Sequence, residues 1–317
     1  MKDIKPFQLE KWYFDFALPS GEVVFFFLAK TRILGWKDAR LSLTATSPHG
    51  APVHRSLVLA EYEGGAPPAG RPLIAGLREM TAVSGSEVRV LAEGGGLSID
   101  VVFARHPEGR PAARPLVIRR GKRRIFWEPV QGRSIVKGTV RMAGRTFDAD
   151  GCDGYIDRLE SDVFPLLTPV ETLYWGRLHH PEGSLVYAVI PRPRPYALLT
   201  WNSAAEKIEF DTVDAADLGS SVSSVLNMDY PTAYTLTAEG RSASIRLDVE
   251  NVVPAVETGF VAAEGIRSRF ESRMIDFLGR SPRGIKFYSR GRAIIRSEGR
   301  TKTLEAVPFF SEVVRFS

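Results

Sequence analysis

The sequence predicts an all-β protein in two β-rich halves, with one helix packed in the second. Three observations carry that prediction. Apolar residues come in short, often alternating runs; those runs are broken by Gly, Pro, Asp and Ser; and a helical spacing of apolar residues occurs once.

Taken in order, the strand candidates of the first half are Trp12 to Phe16, Glu22 to Lys30, Arg40 to Thr46, His54 to Glu61, Glu87 to Glu93, Leu97 to Arg105, Ile135 to Met142, Leu173 to Arg177 and Leu185 to Ile190. Gly94-Gly95-Gly96 joins two of them and suits a hairpin turn, because glycine takes positive φ without steric cost. Pro191-Arg192-Pro193-Arg194-Pro195 cannot donate to a ladder at its prolines and reads as a stiff connector, so the domain boundary is placed there, giving domains 1–192 and 193–317. Beyond it, Tyr234 to Leu236, Ala243 to Val249, Gly259 to Ala263, Gly284 to Tyr288, Arg292 to Arg296 and Thr303 to Ala306 again read as strands. The predicted helix is Gly265 to Leu278, with Ile266, Phe270, Met274 and Phe277 on one stripe and Gly279 to end it. That stripe reads as core packing.

Composition narrows the function classes. The chain has 317 residues, 44% of them hydrophobic, enough for a sizeable core. Forty-two basic against 37 acidic side chains leave a net charge of +5, which permits an anionic partner without demanding one. The single Cys152 excludes an intrachain disulfide framework and any multi-cysteine metal site. Neither a secretory signal nor an apolar run of the roughly 20 residues that a spanning helix needs is found, so the chain reads as soluble and cytoplasmic.

Several short motifs follow one another in the first two-thirds of the chain: Glu10-Lys11-Trp12-Tyr13-Phe14-Asp15, then Trp127-Glu128-Pro129, then Gly154-Tyr155-Ile156-Asp157, then Tyr174-Trp175-Gly176-Arg177. In order and spacing they resemble the lipocalin-like family that includes carotenoid 1,2-hydratase (hydroxyneurosporene synthase), AttH-type proteins and fungal Diels–Alderases, whose signatures approximate E-W-W-Y-x-D, G-x-G-Y-H-D-H-N-W-G and W-x-W-G-R. The resemblance implies two lipocalin-like (calycin) β-barrel domains in tandem around an apolar pocket. It also implies hydration or cyclisation of a hydrophobic isoprenoid or polyene. This sequence departs from the second signature at Ile156, Arg158, Leu159, Glu160 and Ser161, so the family's two histidines are absent and Asp157 alone carries across. Lys11 stands where one of the tandem tryptophans would be.

Those chemistries need an acid in a dry site. Burial disfavours a charged carboxylate, so a buried Asp can hold a proton near neutral pH, and Asp157 is the first candidate. On a strand Tyr155 and Asp157 share one face while Ile156 and Arg158 share the other, making Tyr155 the second candidate catalytic group. Trp12, Tyr13, Asp15, Trp127, Tyr174, Trp175 and Arg177 are the candidate substrate-binding residues, the indoles offering ring faces to developing positive charge. The structural alternative for Asp157 is pairing with Arg158 or Arg177 or capping a turn. For Tyr13 and Asp15 it is ordinary core packing, and for Trp175 and Arg177 a capped barrel end.

The other constellations are weaker. Ser134 and Lys137 have S-x-x-K spacing but fall in a predicted strand, and the five histidines lack spacing that would aim two imidazoles at one metal. Arg119-Arg120-Gly121-Lys122-Arg123-Arg124 is the densest charge cluster and reads as a hairpin tip, with peripheral contact to an anionic membrane as its functional reading and nucleic acid ranked below. The expected protein is therefore an enzyme that acts on a hydrophobic small molecule without metal or redox cofactor. The competing classes are a non-catalytic carrier of the same kind of ligand and, further off, a carbohydrate-active β-sandwich with paired carboxylates.

Overall fold

The computed structural model of the chain describes residues 7–33, 36–58, 77–84, 86–107, 114–164, 168, 170–192, 195–259 and 282–316. These residues form twenty strands and no helix. The predicted helix at 265–278 lies outside the described residues.

The first eleven strands are β1 (Phe7–Ala17), β2 (Val23–Ile33), β3 (Trp36–Ser47), β4 (Gly50–Val58), β5 (Leu77–Ser84), β6 (Glu87–Gly94), β7 (Leu97–Arg105), β8 (Leu116–Arg120), β9 (Arg123–Met142), β10 (Arg145–Asp148) and β11 (Cys152–Ser161). They make one sheet in the order β4-β3-β2-β1-β11-β9-β7-β6-β5, with β8 and β10 each pairing with β9. Alternation is what builds it. In β6 and β7, Val88, Val90 and Ala92, and Leu97, Ile99, Val101 and Phe103, turn inward on every second residue. The Gly94–Leu97 turn between them has φ of +56° at Gly95 and +78° at Gly96, the two left-handed positions that a tight hairpin of this hand demands. The inward side chains, with Phe14, Phe16, Phe26 and Ile156, fill the concave side of the curled sheet.

The second sheet holds β12 (Thr172–His180), β13 (Gly183–Ile190), β14 (Tyr196–Asn202), β15 (Lys207–Phe210), β16 (Asp214–Ser223), β17 (Met228–Glu239), β18 (Ala243–Gly259), β19 (Pro282–Ser297) and β20 (Arg300–Phe316). Its order is β15-β14-β13-β12-β20-β19-β18-β17-β16. It is a second curled half-barrel with its own core, including Leu185, Trp201, Leu236, Leu247, Phe287 and Val313.

The division of the chain differs from the expected one. By contacts, one compact unit comprises Met1–Ala112 with Arg123–Phe164, and the other Ala113–Lys122 with Pro165–Ser317. The Pro191–Pro195 stretch is a hairpin connection inside the second sheet, since Ile190 and Tyr196 on either side of it are ladder partners. Proline keeps a segment out of a ladder, which a hairpin loop and a domain linker require equally.

Candidate functional site

On β1 and β11 the ladder sets Tyr13 opposite Asp157 and Asp15 opposite Tyr155. Two phenols and two carboxyls therefore form a four-cornered group on a single face, each phenol across from a carboxyl, at the short spacing of cross-strand neighbours. Trp12, Phe14 and Phe16 point the other way into the core, and so does Ile156. The four are buried on the face opposite that core: Asp15 and Tyr155 are fully enclosed, and Asp157 is 6% exposed.

Neighbouring strands complete the surroundings. On β2, Phe25 and Phe27 are the ladder partners of Asp15 and Tyr13, and the Tyr13 and Phe25 rings stack at 6.1 Å between centroids. The Tyr13 and Tyr155 rings lie 6.3 Å apart. On β9, Pro129 is opposite Asp157 at an irregularity in the ladder, and Trp127, one pleat further, hydrogen-bonds the Asp157 carboxyl. Lys11, two residues before Tyr13, reaches the same face with its Nζ 4.7 Å from the centre of Phe27.

This environment decides the protonation of Asp157. Burial raises its carboxyl from the ordinary 3.8 to about 7; a hydrogen bond from Trp127, the charge of Lys11 and the neighbouring Tyr155 phenol pull the other way, while Asp15 pushes it up further. Desolvation wins, so the group carries a proton through most of the acid to neutral range. Arg158 does not pair with it. Arg158 turns to the opposite face, where it pairs with Glu160 and Glu10 and lies 5.4 Å from the Trp12 ring. Arg177 belongs to the other sheet.

The candidates thus divide between the two units. Tyr13, Asp15, Trp127, Tyr155 and Asp157 share one face of the first sheet; Trp12 packs against the core on its other face, because alternation turns it away from Tyr13. Tyr174, Trp175 and Arg177 lie on β12 of the second sheet rather than within a 1–192 domain. There Tyr174 faces the core and donates to Asp217 at 2.6 Å, an arrangement that with burial holds its phenol well above the ordinary range. Trp175 and Arg177 are buried on the reverse face, where Lys286 pairs with Glu312 and sits 5.4 Å from the Trp175 ring.

Two features escaped the sequence reading. Lys11 was legible in principle, since alternation alone puts it on the face of Tyr13 and Asp15. The other is a polar seam in the core of the second sheet: Tyr187 and Tyr234 share a hydrogen bond of 2.7 Å, both engage Ser311, and Ser311 continues to Ser289 and Asn251. Its members come from five strands, so no local spacing announces it. Among the described residues no group of three or more His, Cys, Asp or Glu side chains is placed to hold a metal ion. Cys152 behaves as expected of an inert thiol, its pKa raised by burial and by Asp148, Asp153 and Asp150. No helix among the described residues is long and apolar enough to cross a membrane.

No protein-family model matches the sequence, and no curated protein sequence does. Solved structures do match. An AttH candidate from Nitrosomonas europaea superposes with a TM-score of 0.60 over 98% of this chain and 93% of its own, at 12% identity. CghA gives 0.65 over 98% and 88%, also at 12% identity. Kievitone hydratase from Nectria haematococca gives 0.55 over 97% and 89% at 10% identity. The fold is theirs. It is the tandem lipocalin-like architecture that the motifs imply, here at 10–12% sequence identity.

Proposed function

We propose that this protein is an enzyme that hydrates or cyclises a hydrophobic isoprenoid or polyene, without a metal or redox cofactor, using Asp157 as its acid. The observation that supports this reading most is a carboxyl that holds its proton near neutral pH while enclosed by phenol, indole and phenyl groups. A carboxyl destined only for a surface ion pair has no need of such surroundings.

In hydration, the Asp157 proton passes to an alkene carbon. The π electrons form the new C–H bond, the carboxyl O–H breaks, and a carbocation faces a carboxylate. The Trp127 ring stabilises the cation through its negative face. Water adds to the cation and gives its surplus proton to the carboxylate, which restores the acid. In cyclisation, the same protonated carboxyl donates a hydrogen bond to an acceptor conjugated with the reacting double bond, and the ring-rich wall holds the folded conformer. Tyr13 and Tyr155 orient the carboxyl in both. Kinship of fold with kievitone hydratase and CghA agrees with either chemistry, and fold alone does not choose between them.

The test starts with mass spectrometry of whatever the purified protein retains, followed by incubation of acyclic prenyl and polyene probes in heavy-oxygen water. Label in an alcohol product supports hydration; an unlabelled isomer of the probe supports cyclisation. Ligand released unchanged, identically from wild type and Asp157→Asn, assigns the protein to the carriers instead.

A further inference from the structure

We propose that the β8–β9 hairpin tip docks this protein on an anionic lipid surface. Five of the six residues from Arg119 to Arg124 are cationic. The tip is open: Gly121 turns the chain at φ +59°, and nothing lies within 4 Å of where a side chain at that position would begin. Arg119, Arg120, Lys122 and Arg124 are exposed and Arg123 is partly so.

Among the described residues most of this charge has no ion-pair partner. Arg124 has partners, with Glu160 at 3.5 Å, its backbone N–H donating to Asp162, and its guanidinium 5.5 Å from the centre of Phe126. Arg119, Arg120, Lys122 and Arg123 have no carboxylate partner among the described residues. Some other surface arginines do have partners: Arg89 pairs with Asp100, Arg246 with Asp248, and Arg292 with Glu305. Four like charges on one turn repel each other, and the fold leaves that repulsion for an external anion to relieve.

The residues beside the cations say which anion. Val117, Ile125 and Phe126, on the same hairpin, are half-buried. Cations flanked by half-buried apolar residues match a headgroup layer over an acyl boundary. A nucleic-acid reader spreads its cations along a groove with polar groups for the bases between them, which this tip lacks. The inference rests on charge and placement and is independent of the role given to Asp157, although a catalyst for lipid-soluble substrates has an obvious use for it.

The experiment is co-sedimentation of the full chain with vesicles. The expected result is pelleting with phosphatidylcholine vesicles containing about one-third phosphatidylserine, none with phosphatidylcholine alone, and release by salt as the charges are screened. Each cation removed costs about fivefold in partitioning, so Arg120→Ala with Lys122→Ala binds about 30-fold more weakly. Arg119→Gln with Arg123→Gln, a second pair on the same tip, gives a similar loss, and circular dichroism shows both variants folded. Equal pelleting with the two vesicle types, binding indifferent to both pairs of substitutions, or no pelleting with the anionic vesicles overturns the proposal. So does capture of a short DNA duplex by a protein that ignores those vesicles. None of these results bears on turnover by Asp157.

Discussion

Asp157 owes its chemistry to burial more than to any partner, and this gives its titration a definite sign. As the acid of the proposed reaction it works while protonated, so turnover is level at low pH and falls about tenfold per unit once the pH passes about 7. Rate profiles of the purified enzyme check this. Lys11 favours the charged form, so Lys11→Met raises the pKa further and moves the falling limb to higher pH; a limb that stays put removes Lys11 from the site. Stability is linked to the same proton. The folded pKa lies above the unfolded value of 3.8, so the native state binds the proton more tightly, and stability is lost as the pH climbs from about 4 to about 7, by up to about 4 kcal/mol. Asp157→Asn abolishes that slope. Its melting temperature exceeds the wild type's at pH 8 and approaches it at pH 4, while its turnover drops by about a hundredfold or more. A variant that melts like wild type at every pH places Asp157 in solvent. Of this site, Asp157 and the Tyr155 face were legible because alternation fixes which side chains share a side. Nothing local showed that Tyr13 and Asp15 would be the opposing pair, because that depends on a register between residues more than a hundred positions apart.

At the level of elements, the strands were legible wherever alternation ran unbroken and were cut short wherever Pro or Gly interrupted it. The Ile135–Met142 reading is the second half of β9, whose first half contains Pro129 and Gly132. The ladder accommodates them: the β9–β11 register shifts on either side of Ile156, opposite Gln131 and Pro129. Similar shifts occur beside Pro254 on β18 and around Gly219, near the pairing of Ser220 with Pro231 on β17. Bulges thus turn apparent strand breakers into long, bent strands, and the bend is invisible to a period-two pattern. Gly138 shows how strict this can be. Its φ is +109°, and a Cβ there would sit 2.1 Å from the carbonyl oxygen of Asp100 on β7. Gly138→Ala is expected to cost about 3 kcal/mol or more, through strain and collision together. Gly96→Ala, at φ +78° with open space around it, carries the strain alone and costs about 1–2 kcal/mol. Urea denaturation of the two variants side by side separates the contributions; equal losses mean that Asp100 moves aside.

For the whole molecule, an all-β chain in two halves could be read from composition and punctuation, whereas the division between the halves could not. Prolines marked a hairpin loop, and the passage from β11 to β12, which carries Pro165 and Pro169, was not distinguished from it. By contacts Ala113–Lys122 groups with the second unit, although in sequence it lies between β7 and β9 of the first sheet. Within that second unit Arg114 anchors the segment, pairing with Asp211 at 2.9 Å while its backbone N–H donates to Glu209, and the arginine holds the Asp211 carboxyl below its usual range. A cut at residue 164 therefore separates residues 165–317 from ten residues that belong with them. Fragments 1–164 and 165–317 made separately should melt well below the full chain, with broadened transitions, and adding residues 113–122 as a peptide should raise the melting temperature of the second fragment but not the first. If the C-terminal fragment alone unfolds cooperatively at the temperature of the intact protein, the segment contributes nothing to that unit and the halves are independent domains joined at the β11–β12 passage.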